Sequence, residues 1–108
     1  MSNTPNQSVR HLLLLTFHQG VTPEQIKTSF DQFRELTKKI SGITGFEHGV
    51  HDSPEGKNRG FTHACLLTFK NIQARDNYLP HPDHLEFGRL YLGPIVQEIL
   101  VFDYAVLE

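Results

Sequence analysis

A chain of 108 residues with ten basic and twelve acidic side chains and a formal net charge of -2 has the size of one domain and can bury a core without staples. The near-neutral charge and the lack of any basic run give no electrostatic reason to expect nucleic acid or an anionic membrane as a partner. A single cysteine, Cys65, excludes an intramolecular disulfide and a Cys-rich metal cage and fits a reducing cytoplasm, which is the expected location.

Residues 1–8 are polar and read as a disordered lead-in, without the basic and apolar regions of a signal peptide. Leu12 to Leu15 is too short to span a bilayer. Val9 to His18 is strand-like, with Val9, His11, Leu13, Leu15 and Phe17 on one face and Leu12, Leu14 and Thr16 on the other; Gly20 ends it. Thr22-Pro23-Glu24-Gln25 predicts a helix start, with Thr22 as cap, Pro23 in the first turn and Gln25 closing a capping box. Ile26, Phe30, Phe33, Leu36 and Ile40 then form one apolar stripe, so the helix runs from Pro23 to about Lys39 and stops near Gly42. Ile43 to His51, with Gly45 and Gly49, suits an edge strand, and residues 52–60 are dense in turn formers. The next strand, Gly60 to Phe69, places His63 in register with Phe61, Cys65, Leu67 and Phe69. Asn71 caps a short helix, Ile72 to Leu79, that breaks before Pro80. A second helical stretch starts at Pro82, and Gly93-Pro94 distorts its end. Glu98 to Val106 is the last strand.

The order is β-α-β-β-α-β, for which the simplest solution is a single α+β ferredoxin-like domain over residues 9–106: an antiparallel four-stranded sheet with its helices on one face. At least three strands are apolar on both faces, whereas helices cover only one. A sheet-sized apolar patch is not left in water, so a second copy packed through the open sheet face, a homodimer, is the expectation.

Seven histidines, and eight phenylalanines with no tryptophan, point to a pocket. With the first strand lying between the third and fourth, His11, His63 and Asp103 come from neighbouring strands and could converge between sheet and helices. There they could orient a tautomer and move a proton, or each could be a satisfied buried polar group. Tyr78, six residues before His84, could border the same cavity and hold an enolate oxygen through its phenol. His81 and His84 sit three apart, but without a third ligand no metal site is assigned. Cys65 reads as a small buried hydrophobe, and His18, His48 and His51 as solvated or edge positions.

Four stretches carry a resemblance: Arg10 to Phe17, Gly60-Phe61-Thr62-His63, Tyr78 to Phe87 with its His81-Pro82-Asp83-His84 core, and Val101-Phe102-Asp103-Tyr104. Together they resemble the stress-responsive dimeric α/β-barrel (Dabb) family over about Val9 to Tyr104. The resemblance implies a ferredoxin-like dimer whose paired sheets close into a barrel. The family includes a plant polyketide cyclase that performs an intramolecular aldol condensation without metal or cofactor. Its pattern, carried over, implies His84 as base, Asp103 as the group orienting it, and Tyr78 and His63 as partners of substrate oxygen. His11, Phe33 and Phe87 would line the pocket. Phe33 stands where the cyclase has a tyrosine.

Three functions follow as expectations: a histidine-lined pocket for a small oxygen-rich molecule, a cofactor-free cyclase, lyase or isomerase, and a non-catalytic structural or stress-protection module. A pocket needs His63 and His84 within one ligand's reach, whereas a structural role expects Phe33, Phe87 and their neighbours to fill the gap.

Overall fold

In the computed structural model, which describes residues 7–107, four strands and three helices follow the expected order. They are β1 (Val9–Phe17), α1 (Pro23–Lys39), β2 (Ile43–Val50), β3 (His63–Phe69), α2 (Ile72–Tyr78), α3 (Pro82–Phe87) and β4 (Val96–Ala105). The sheet order is β2-β3-β1-β4, with each neighbouring pair antiparallel. This is the ferredoxin-like arrangement. The expected lead-in falls mostly outside the described residues. Of it, Gln7 and Ser8 are tied to the chain after β4: Val106 N–H donates to the Ser8 carbonyl at 2.9 Å and the Gln7 amide to the Val106 carbonyl at 2.8 Å.

The local chemistry of α1 is the one its sequence encodes. Gln25 N–H donates to Thr22 Oγ1 at 3.1 Å while Thr22 N–H donates to the Gln25 side chain at 2.8 Å, closing the capping box with Pro23 in the first turn. Its stripe of Phe30, Phe33, Leu36 and the C-cap Ile40 is buried against Leu13, Leu15, Cys65, Leu67 and Phe69 of β1 and β3. Gly42 ends this unit with φ +92, and a Cβ there would lie 2.6 Å from that of Ala74, so only glycine allows α2 to pack this closely.

The second helical stretch is more broken than the sequence suggests. α3 ends at Phe87 and a π-helical turn, Gly88–Leu92, follows. It closes through Gly93 N–H to the Gly88 carbonyl at 2.7 Å, where a Cβ on Gly93 would collide with that same oxygen. The turn lets β4 begin at Val96, two residues earlier than expected.

Alternation places Leu12, Leu14, Ala64, Leu66, Leu100, Phe102 and Tyr104 on the face away from the helices. β4 is exposed on both faces: Phe102 is 58% exposed on the open side, and Val101 is 53% exposed on the helix side. No described helix is long and apolar enough to cross a membrane.

Candidate functional site

Strand pairing brings the first two polar groups together. His11 of β1 lies opposite Asp103 of β4, so both side chains point to the helical layer. His11 is 4% exposed, and its Nδ1–H donates to Asp103 Oδ1 at 2.6 Å. The second carboxylate oxygen accepts from Arg75 Nη1 at 2.9 Å. Arg75 is held in turn by Asp76, whose Oδ1 accepts from its Nε at 2.8 Å.

Tyr78 and His84 complete the cluster from above. Pro80 cannot continue α2, and His81 caps α3 by accepting from Asp83 N–H at 3.1 Å, with Pro82 in the first turn. That break turns His84 back over the end of α2, where its Nδ1–H donates to the Leu79 carbonyl at 2.9 Å. A carbonyl only accepts, so Nδ1 carries the proton and neutral His84 presents Nε2 as a free lone pair. Burial pushes the His84 pKa below the usual histidine value; the Leu79 carbonyl opposes this, and His11 and His81 reinforce it. Its ring lies 4.1 Å from that of Tyr78.

Tyr78 is the centre of the cluster. It is fully buried, with His11 at 5.9 Å, Phe69 at 5.1 Å and His84 around its ring. Its hydroxyl has no hydrogen-bond partner among the described residues. Burial, with a smaller contribution from Cys65, raises the phenol pKa well above its ordinary value, so it is an O–H donor at every physiological pH. One free donor and two imidazoles with their Nδ1 positions occupied make a set that can polarise a carbonyl and take up a proton beside it.

The other expected residues lie elsewhere. His63 shares the face of His11 but pairs with Leu15, four residues along β1, which is ~13 Å at strand rise. It sits in a separate aromatic cluster, edge-on to Phe17 at 4.9 Å and near Phe30 at 6.3 Å, with its Nδ1 hydrogen-bonded to Thr62 Oγ1 at 2.8 Å. His48, expected to be a plain edge residue, stacks flat on Phe30 at 4.3 Å. Burial pushes both histidines below the usual value; Arg34 adds to this at His48 and His48 at His63. Phe33 and Phe87 pack on each other at 4.6 Å and, both buried, belong to the hydrophobic core. Asp103 serves His11 and Arg75, and the group orienting His84 is the Leu79 carbonyl, because the strand register puts His11 directly opposite the carboxylate. Cys65 is buried, with its thiol pKa pushed up to about 12 by that burial, which leaves no thiolate for nucleophilic work.

Sequence reading missed Arg75. The available signal was its position three residues before Tyr78, on the same face of α2. A hollow of about 420 Å3 lies on the opposite side of the sheet, with Leu12, Leu14, Ala64 and Leu66 as its floor, away from Tyr78 and His84.

The chain matches the stress responsive A/B barrel domain over residues 9–106. It is 35% identical over 96 residues to the stress-response A/B barrel domain-containing protein HS1 of Arabidopsis thaliana, spanning 89% of this chain and 87% of that protein. Against olivetolic acid cyclase of Cannabis sativa it is 29% identical over 97 residues, 90% of this chain and 95% of the cyclase. Among solved structures, the hydroxynitrile lyase from Passiflora edulis superposes with a TM-score of 0.86 at 25% identity, covering 96% and 97% of the two chains. A dimeric ferredoxin-like protein of unknown function from Jannaschia sp. CCS1 superposes with 0.78 at 26% identity, covering 92% and 99%. With residues 9–106 matched by the family model and a 35% identical relative covering 89% of its length, the chain belongs to the stress responsive A/B barrel domain family.

Proposed function

We propose that this protein is a homodimer of a single domain, residues 9–106, that binds a small carbonyl compound between Tyr78, His84 and His11 and transfers a proton without a metal or cofactor. The observation that carries this reading is the Tyr78 hydroxyl: a fully buried donor with no partner among the described residues, flanked by imidazoles whose orienting bonds are already made. A buried donor left without a partner is unfavourable by about 1–3 kcal/mol, and such groups concentrate where a ligand completes them.

In the step we infer, Tyr78 O–H donates to the carbonyl oxygen and His84 Nε2 removes a proton from the adjacent carbon. The C–H electron pair moves into the C–C bond, the carbonyl pair moves to oxygen, and the enolate formed is held by the phenol. His11, kept in one tautomer by Asp103, lies beside Tyr78 with ring centroids 5.9 Å apart. Two similar proteins carry enzyme names, a cyclase and a lyase, and proton transfer next to a held oxygen serves either.

The dimer forms through the open sheet face. Its exposed Leu100, Phe102 and Tyr104 continue the apolar surface of β1 and β3, and dimeric proteins are among the structural neighbours. The partner would also close the hollow over Leu12 and Leu66. One cysteine, buried and unpaired, suits a cytoplasmic protein.

Two observations favour the structural reading: the mutual packing of Phe33 and Phe87, and the position of His63, opposite Leu15 and in a separate aromatic cluster. Thermal-shift measurements with small aromatic acids and β-keto compounds separate the two readings. A compound that stabilises the wild type and not Tyr78→Phe supports the site, whereas no stabilisation by any of them leaves the structural role.

A further inference from the structure

We infer that Arg75 is a positioning residue that holds the Asp103 carboxylate on His11 and so fixes the tautomer and orientation of that imidazole. The inference rests on the reading of the Tyr78, His84 and His11 cluster as the site, and it concerns how that site is set.

Asp103 stands within a cluster that holds two histidines, and its two oxygens are both taken. Oδ1 accepts from His11 Nδ1–H at 2.6 Å and Oδ2 from Arg75 Nη1 at 2.9 Å. A carboxylate held at both oxygens has lost the rotation that would let it turn to another partner. Arg75 is fixed at its other edge, because Nε donates to Asp76 Oδ1 at 2.8 Å. A planar guanidinium gripped at two edges has one orientation. A lysine, with a single point charge, could not make both contacts in the same way. The side chains of Arg75 and Asp103 are 22% and 21% exposed, so the pair lies at the rim of the cluster with His11 enclosed behind it.

The consequence is a division between the two imidazoles. His11 is backed by the charged Asp103 carboxylate. His84 is backed by the neutral Leu79 carbonyl. The groups facing the pair are Arg75 and Asp76 from α2, Tyr78 at its end, Cys65 from β3 beneath the phenol, and His81 at the start of α3.

The test uses nitrogen-15 NMR of the histidine rings in the folded dimer, with Arg75→Met, Arg75→Lys, Asp103→Asn and the double variant Arg75→Met/Asp103→Asn. In the wild type, His11 should show a protonated Nδ1 with a strongly deshielded, slowly exchanging proton. In Arg75→Met that signal should weaken and exchange faster, as the carboxylate regains rotation. Arg75→Lys should fall between the two. In the Asp103→Asn background the Arg75→Met change should disappear. Two results overturn the inference: an unchanged His11 signal in Arg75→Met, whatever the melting temperature, or an Arg75→Met change in the His11 signal that persists in the Asp103→Asn background. These observables need no substrate, so a failure here is distinct from a failure to find a ligand at Tyr78.

Discussion

Replacing Tyr78 by phenylalanine sets stability against function in a way few other readings would. The ring contacts remain, to His84 at 4.1 Å, Phe69 at 5.1 Å and His11 at 5.9 Å, and only one oxygen is removed. Burying a hydroxyl that finds no partner is unfavourable by about 1–3 kcal/mol, while the dispersion lost with a single atom is a few tenths of a kcal/mol. The variant is therefore expected to be between unchanged and about 2 kcal/mol more stable. For a chain near 100 residues, 1 kcal/mol moves the melting temperature by roughly 4–8 °C. Calorimetry at fixed protomer concentration, so that the dimer equilibrium contributes equally, measures this directly. The same variant should lose stabilisation by any compound that stabilises the wild type. A loss of more than about 1 kcal/mol would refute the reasoning, since it would mean that the hydroxyl is already bonded in the resting protein.

Other perturbations test other links. Asp103→Asn removes the charge from the 2.6 Å bond to buried His11, worth about 1.5–3 kcal/mol. It also removes the partly exposed pair with Arg75, worth at most about 1 kcal/mol. Denaturant unfolding should show a combined loss of roughly 2–4 kcal/mol, and a loss below about 0.5 kcal/mol contradicts the geometry. Gly42→Ala meets both a φ of +92 and a 2.6 Å approach to Ala74, so a loss of about 2–4 kcal/mol is expected in the same assay. Phe102→Asp puts a charge on the open face and should give monomers in analytical ultracentrifugation at concentrations where the wild type is dimeric. The folded-state pKa values of His84, His63 and His48 are all depressed. Between the ordinary histidine value and those lower values the unfolded chain binds more protons, so stability is fully present above about pH 6.5 and falls on acidification. Unfolding midpoints between pH 7.5 and 5 should show this fall, and His84→Gln should flatten it. A midpoint that rises on acidification contradicts the sign.

Much of the fold was legible because it rests on local chemistry. The Thr22 and Gln25 capping box, the Pro23 start, the alternation in β1 and the glycines of the β2 edge each specify their element, and the order of elements leaves one simple topology. That His11 and Asp103 could share a face came from the same parity argument, while their direct pairing is set by the register. Parity fixes a face and not a height along the strand, and that is why His63 seemed part of the same group. The β1–β3 register sets it opposite Leu15 instead. The π-turn was hidden because its backbone bond depends on Gly88 and Gly93 approaching each other, which no periodicity records. Arg75, on a short helix, was missed. Only the tertiary fold brings it to Asp103.

The central claim is that Tyr78 and His84 make a site for proton transfer beside a carbonyl. It is tested most directly by proton NMR of α-carbon hydrogen–deuterium exchange in a simple β-diketone incubated with the dimer. The wild type should accelerate exchange above buffer, and His84→Ala, folded and dimeric, should lose about 10²-fold or more of that acceleration. Exchange that the wild type does not accelerate, or that His84→Ala accelerates equally, would contradict the account.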